Sequence, residues 1–139
     1  MSTVVPCTAN TDPAPVGTAI AFDDVSQITG FGVAVASGRI TLPAGAFYLL
    51  QCNHAARLSA SGGFIDLAFI VDPSGAATQV GKKWQYFRPD AAFPSGAADN
   101  GFALVDATGG AVEVEVQVVA QSNEDYVGDA ITLTIQRVG

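Results

Sequence analysis

Residues 38–50, GRITLPAGAFYLL, contain two short strand-like runs separated by a break. In the first run Ile40 and Leu42 alternate with polar residues, which is the period of a half-buried β-strand. Residues 43–45 (PAG) interrupt the pattern, because proline cannot donate to a sheet ladder and glycine accepts positive φ values. A second run begins at once with Phe47. The stretch therefore predicts a corner between two strands.

The same alternation recurs along the rest of the chain. It is clearest in residues 111–121, where four valines alternate with Glu113, Glu115 and Gln117, so one face should be buried and the other wet. Turn-forming residues separate the runs, as in the DPSG of residues 72–75 and the TGG of residues 108–110. No segment shows a sustained helical period. We therefore expect an all-β chain of about eight antiparallel strands, at the spacing of a sandwich.

The chain has 139 residues, of which 49% are hydrophobic and 14% charged, and this composition indicates one folded domain. Prolines at positions 6, 13 and 15 lie among small polar residues. We therefore predict an extended N-terminal arm over residues 1–17, with at most one edge strand, followed by the sandwich domain over residues 18–139. The low charge also suggests that other subunits cover part of the surface.

The net charge of −7 argues against nucleic acid as a partner, because nucleic-acid binding needs a basic stripe and the one basic cluster is Lys82, Lys83 and Arg88. No apolar run approaches the ~20 residues of a membrane helix, so we expect no membrane partner. No signal peptide is evident, which predicts synthesis in the cytoplasm. Cys7 and Cys52 are expected to be two small buried side chains, with a single disulfide as the alternative.

No set of residues has the spacing of a catalytic or metal site, so we expect no enzyme activity, no cofactor and no bound metal. His54 is the only histidine, and no nucleophile or orienting acid lies near it in sequence. Three copies of His54 around a symmetry axis could hold a metal, but a buried or interfacial side chain is the expected state. Glu113 and Glu115 should form a solvated face rather than a glycosidase pair. The acids of residues 123–129 do not have the spacing of an EF-hand.

Three segments resemble the C1q/TNF-like jelly-roll family. Residues 38–48 are similar to the family pattern G-R-(Ile/Phe)-T-x-P-x-x-G-x-Y-Y, the turn of residues 108–110 leads into an alternating strand as in the family, and residues 131–138 resemble its closing strand. The resemblance covers about residues 18–139 and implies a jelly roll that assembles as a homotrimer. No collagen repeat is present, and Gly109-Gly110 replaces the family's glycine–acid pair. The first departure favours the phage virion members over the animal ones, and the second means that the family's chemistry at this loop does not carry over.

By this resemblance, we expect a structural protein of the virion that decorates the exterior of a phage head as a trimeric cement protein and binds the major capsid protein. The alternative is a receptor- or glycan-binding tip domain of a tail fibre or spike. The resemblance yields two sets of candidate contacts. Candidates for contact with the capsid are Val4, Val5, Pro6, Pro13 and Pro15. Candidates for contact within the trimer are Phe47, Tyr48, His54 and Tyr126.

A further interaction surface is predicted where aromatic and basic residues interleave, because aromatic and arginine side chains are enriched at interface centres. Its members are Lys82, Lys83, Trp84, Tyr86, Phe87 and Arg88. The alternative is that Trp84 and Tyr86 pack beneath the irregular segment of residues 88–101.

Overall fold

The structure is a computed structural model that describes residues 2–7, 16–20, 22, 32–36, 38–58, 63–87, 99–122 and 126–139. Nine strands lie in these residues, and they confirm the predicted all-β class. The strands are β1 (Ser2–Cys7), β2 (Ala34–Ala36), β3 (Arg39–Leu42), β4 (Phe47–Leu58), β5 (Phe64–Val71), β6 (Thr78–Phe87), β7 (Asp99–Asp106), β8 (Val112–Gln121) and β9 (Tyr126–Val138). No helix in the described part of the chain is long and apolar enough to cross a membrane.

The strands form two antiparallel sheets. The four-stranded sheet has the order β1-β9-β4-β7, and the five-stranded sheet has the order β2-β3-β8-β5-β6. Strands that are neighbours in space are mostly distant in sequence, as in a jelly roll. Before β2, a short segment lies alongside β8, where Ala19 forms a bridge with Gln117. The last strand begins at Tyr126, earlier than Ile131, where the resemblance placed the start of the closing strand.

The predicted corner between β3 and β4 is present. Gly45 has a φ of 92°, a conformation that side chains rarely adopt. Its backbone N–H donates to the carbonyl of Ala107 at 2.8 Å, and the N–H of Ala107 donates to the carbonyl of Ala46 at 2.9 Å. The Tyr48 hydroxyl donates to the carbonyl of Pro43 at 3.0 Å. The corner is thus fixed to the turn after β7 and to the core.

One core lies between the two sheets. The inward residues of β3, β4, β5, β8 and β9 are almost fully buried; the largest of them are Tyr48, Phe69, Ile40, Leu42, Leu50, Ile65 and Leu67. Trp84 of β6 is 3% exposed and lies against Phe69, with the ring centroids 5.1 Å apart. Because both sheets contribute alternate residues to this layer, each strand also presents an outward face, and these outward faces hold the candidate sites.

Candidate interaction surfaces

Paired charges cover the outward face of the five-stranded sheet near β3 and β8. Arg39 donates to Glu115 from two nitrogens, at 3.0 and 3.2 Å, and lies 3.5 Å from Glu113. The remaining guanidinium nitrogen of Arg39, Nη1, donates to the Ser74 hydroxyl at 2.6 Å. Gln117 donates to the second carboxylate oxygen of Glu115 at 2.7 Å. Glu115 is 8% exposed, so the prediction of a solvated pair of glutamates was wrong for this residue. Through Arg39, this group of contacts joins β3, β8 and the turn that contains Ser74.

A second group of charges joins β5 to the edge strand β6. The carboxylate of Asp66, which is 2% exposed, accepts from Lys83 and from Gln85, at 2.7 Å each. Strand β6 has a bulge that includes Lys83. Leu67 pairs with Trp84 and Phe69 with Val80, so that residues 81–83 lie opposite a single residue of β5. The bulge bends the strand and interrupts its free edge. Lys83 is therefore already paired within its own subunit.

The predicted aromatic and basic surface divides between core and exterior. Trp84 points inward and packs in the core between the two sheets. Phe87, Lys82 and Lys83 are exposed. The side chain of Tyr86 and all of Arg88 lie outside what the structure describes. The prediction was wrong for Trp84 because alternation along β6 places it opposite Leu67, on the buried face.

The outward face of the four-stranded sheet has a different character. On this face Phe47 is 38% exposed, Phe102 52% and Leu104 60%. Leu49 lies directly opposite Leu104 on the neighbouring strand. Val138 of β9 lies opposite Phe47 on the other side. We call these five residues the apolar strip. Further along β4 and β7 the face becomes polar.

Of the residues predicted to contact other subunits of a trimer, only Phe47 is described as exposed. Tyr48 is 1% exposed and belongs to the core of its own subunit, so it is a packing residue rather than a surface contact. His54 and Tyr126 lie in β4 and β9, but their side chains are outside the described part of the structure. Leu49, Phe102, Leu104 and Val138 were not among the predicted contact residues. The alternation of residues 102–105 predicts a strand that contains Phe102 and Leu104, but it does not show which face of that strand is buried.

The first residues of the predicted arm form β1, the edge strand of the four-stranded sheet. Val4, Val5 and Pro6 pair with Thr134, Leu133 and Thr132 of β9. Pro13 and Pro15 lie outside the described residues. The assignment of these five residues to capsid contact, like the boundary between arm and domain at residue 17, stays a prediction.

The register of the four-stranded sheet determines how far apart the backbones of Cys7 and Cys52 lie. Cys7 pairs with Ile131 of β9, and Ile131 pairs on its other side with His54 of β4. The strands of Cys7 and Cys52 are thus separated by β9, which puts their Cα atoms at least about 9.5 Å apart. A disulfide requires Cα atoms within about 7 Å. The two cysteines therefore do not form a disulfide in this structure, and Cys52 is buried in the core.

Two further features lie at the end of the sandwich where β3, β7 and β8 begin or end. An open cavity of about 580 Å³ is lined by Thr41, Asp72, Ala111, Val112 and Glu113. The turn after β7 is closed by Asp106, whose carboxylate accepts from the Thr108 hydroxyl at 2.6 Å and from its backbone N–H at 2.9 Å. These two bonds lower the pKa of Asp106. Among the described residues, no group of three His, Cys, Asp or Glu side chains could hold a metal.

Neither a protein-family model nor a curated protein matches the sequence. Solved structures do match its fold. The PRD1 vertex protein P5 aligns at a TM-score of 0.55 and 12% identity over 99% of this chain and 96% of that one. Murine APRIL aligns at 0.55 and 10% identity, over 98% and 99%. Eiger TNF from S. frugiperda aligns at 0.55 and 7% identity, over 99% and 93%. The chain therefore has a C1q/TNF-like jelly-roll fold, which it shares with a vertex protein and with TNF proteins.

Proposed function

We propose that this chain is a structural protein of a phage virion, a homotrimer that decorates the exterior of the head by binding the major capsid protein. The observation that carries the proposal is the likeness in fold to the PRD1 vertex protein P5, which extends over nearly the whole of both chains. A jelly roll that aligns with a vertex protein over nearly its whole length fits a structural role for this domain.

The surface chemistry supports a structural role. The buried carboxylates Asp66 and Glu115 on the outward face of the five-stranded sheet are occupied by donors of the same chain. Such groups are held by their partners and tie the strands together instead of awaiting a substrate. We infer that the protein is not an enzyme; a screen for glycan hydrolysis that found activity lost on His54→Ala would contradict this.

A cement protein acts by linkage. It binds the assembled shell across subunit boundaries and not the separated capsid proteins, so its binding free energy is added to the stability of the shell. We propose that the arm of residues 1–17 makes part of this contact, since it includes β1, the edge strand of the four-stranded sheet.

The test is co-sedimentation of the purified protein with undecorated heads, with copy number measured by quantitative gel or mass spectrometry. We expect trimers bound in hundreds of copies per head, and heads that withstand higher temperature when decorated. Deletion of residues 1–15 should abolish binding. Because this deletion also removes β1, a synthetic peptide of residues 1–15 should be added to intact protein, and we expect it to compete for heads. Full binding by a well-folded deletion variant, with no competition by the peptide, would exclude the arm.

A second function is favoured by the name of the same neighbour. A vertex protein occupies special positions of a shell, which fits a receptor- or glycan-binding tip domain of a fibre or spike. The loops that would bind in this case are residues 59–63, 88–101 and 122–128, most of which lie outside the described residues. The two functions differ in copy number: a few copies per particle, with binding to host cells, would favour the tip domain over head decoration.

A further inference from the structure

The turn between β5 and β6 contains the one described non-glycine residue with a positive φ. Asp72 directly follows β5 and has a φ of 53°, in the left-handed region that side chains rarely enter. The next residue is Pro73, and a residue before proline is normally confined to extended conformations. The backbone of Asp72 is therefore strained by its own side chain and by the proline ring. Strain that the surrounding structure maintains is typical of reactive positions.

Contacts with two other strands hold this turn in place. The backbone N–H of Asp72 donates to the carbonyl of Glu113 at 2.9 Å, which fixes the residue to β8. The hydroxyl of Ser74 accepts from Nη1 of Arg39 at 2.6 Å, which fixes the turn to β3. Relaxing the φ of Asp72 would disturb both contacts.

The turn also brings the side chain and the carbonyl of Asp72 to the same side of the backbone. The carbonyl oxygen accepts from the N–H of Gly75 at 3.0 Å, and the side-chain Oδ2 accepts from the following N–H, that of Ala76, at 3.2 Å. A Cβ atom at residue 75 would lie 2.6 Å from Oδ2, so glycine leaves the room that the carboxyl group occupies. The first hydrogen bond polarises the carbonyl towards attack, and the second holds a nucleophile beside it.

We propose that the peptide bond between Asp72 and Pro73 is a self-cleavage site, at which the carboxyl group of Asp72 cuts the chain after its own residue. The reaction is a single event within one chain. It is compatible with a protein that has no enzyme activity towards other molecules, and it does not depend on the virion function.

The step needs only the two residues and water. One carboxyl oxygen of Asp72 forms a bond to the main-chain carbonyl carbon of the same residue, which closes a five-membered ring. The carboxyl proton passes to the nitrogen of Pro73, and the bond between that carbon and that nitrogen breaks. The products are a cyclic anhydride at Asp72 and a free amine at Pro73, and water then opens the anhydride to two carboxyl groups. Holding both reacting groups in one residue replaces an encounter in solution by an intramolecular attack.

The proposed reaction should depend on pH, because the carboxyl group must supply a proton to the nitrogen of Pro73. Cleavage should therefore be faster at acidic pH. Among the described residues, the charged groups that face the turn are Glu113 of β8, which lines the same cavity as Asp72, and Arg39 of β3, which binds Ser74.

Cleavage should leave the sandwich assembled. Strands β1 to β5 precede the bond and β6 to β9 follow it, and each sheet contains strands from both pieces. The two pieces should therefore separate only when the protein is denatured.

The test is a time course of the intact protein at acidic pH, followed by mass spectrometry under denaturing conditions. The pH is the lowest at which the emission of Trp84, the only tryptophan, still shows a folded chain. The chain contains an internal control, since residues 12 and 13 form a second Asp–Pro bond outside this turn. We expect a new fragment that begins at Pro73, and two pieces whose masses together exceed 14.2 kDa by one water molecule.

The comparison that decides is between rates. The bond after Asp72 should break at least about tenfold faster than the bond after Asp12 in the same folded sample, and at least about tenfold faster than it does itself in urea at the same pH. Equal rates at the two bonds, equal rates in the folded and unfolded chain, or no cleavage after Asp72 would overturn the proposal, because ordinary acid lability would then account for the data.

Two variants of the exposed turn test the geometry. Asp72→Glu keeps the charge but needs a larger ring for the attack, and we expect it to abolish the fragment that begins at Pro73. Gly75→Ala keeps the N–H donor but places its Cβ where the carboxyl group lies, and we expect it to slow cleavage several-fold. A wild-type rate in either variant, with the chain folded by the emission of Trp84, would overturn the proposed attack by the carboxyl group of Asp72.

Discussion

The backbone of β7 at Gly101 packs closely against the indole of Trp84, which makes Gly101→Ala an informative single substitution. A Cβ atom at residue 101 would lie 2.3 Å from two indole carbons, Cε3 and Cζ3, and 2.7 Å from Cδ2. The indole is 3% exposed and rests on Phe69, so it cannot swing into water to make room. Either the ring or strand β7 must shift.

The expected cost follows from two opposing effects. Forcing one extra methyl group into a packed core costs about 1–3 kcal/mol. Replacing glycine restricts the unfolded chain, which offsets about 0.4–1 kcal/mol of this cost. We therefore expect Gly101→Ala to lower the free energy of unfolding by about 1–2 kcal/mol. With a urea m-value of about 2 kcal/mol/M, the midpoint should fall by about 0.5–1 M.

The assay is urea unfolding followed by the emission of Trp84, which is unique in the chain and becomes exposed on unfolding. The matched control is Gly109→Ala in the turn after β7, where a Cβ would have no atom within 4 Å. At Gly109 only the restriction of the unfolded chain applies, so the control should raise the free energy of unfolding by about 0.4–1 kcal/mol. In a second background, Trp84→Leu, followed by circular dichroism, Gly101→Ala should cost less, because the obstructing ring carbons are gone. A Gly101→Ala protein as stable as the wild type, or an unchanged cost in Trp84→Leu, would refute the packing argument.

Two further predictions concern the charged groups. Lys83→Met should lower the free energy of unfolding by about 1–3 kcal/mol, because it removes a donor from the buried carboxylate of Asp66. Lys82→Met, at an exposed neighbouring position, should change it by less than about 0.5 kcal/mol in the same urea titration. Equal effects of the two substitutions would show that the ion pair contributes nothing. Thr108→Val should raise the pKa of Asp106 towards its ordinary value, as followed by NMR titration of the carboxyl carbon, because the valine retains the backbone donor and lacks the hydroxyl. Since the folded-state pKa of Asp106 is lowered, its contribution to stability is present above the unfolded pKa and is lost as pH falls through the folded pKa. Thr108→Val should weaken this pH dependence of stability. An unchanged titration of Asp106 would exclude the Thr108 hydroxyl as the cause of the lowered pKa.

The positions of most strands could be predicted from the sequence alone. The alternating residues 111–121 form β8, and the corner at residues 43–45 lies where proline and glycine interrupt the alternation. These features are local: a two-residue period, a missing N–H and a positive φ depend on residues next to one another in the chain. The resemblance in residues 38–48 also indicated the jelly roll correctly, since the sheet order and the solved structures bear it out.

The sequence could not determine which side chains of a strand meet the core. Phe47 and Tyr48 are adjacent aromatic residues, yet one is on the surface and the other is buried. Trp84 and Phe87 belong to one predicted surface, yet only Phe87 is exposed. Two faces are possible for every alternating strand, and the choice depends on its partners in the sheet and on the facing sheet.

The apolar strip and the packing of Gly101 against Trp84 are determined only by the tertiary structure. Leu49 meets Leu104, and Gly101 meets the indole of Trp84, although the partners of each pair are distant in the sequence and lie on different strands. Local periodicity carries no information about such pairs, because it describes a strand and not its neighbours. The sequence by itself therefore determined where the strands lie and what kind of sheet they build, whereas the packing of distant strands decided which outward surface carries paired charges and which carries exposed apolar side chains.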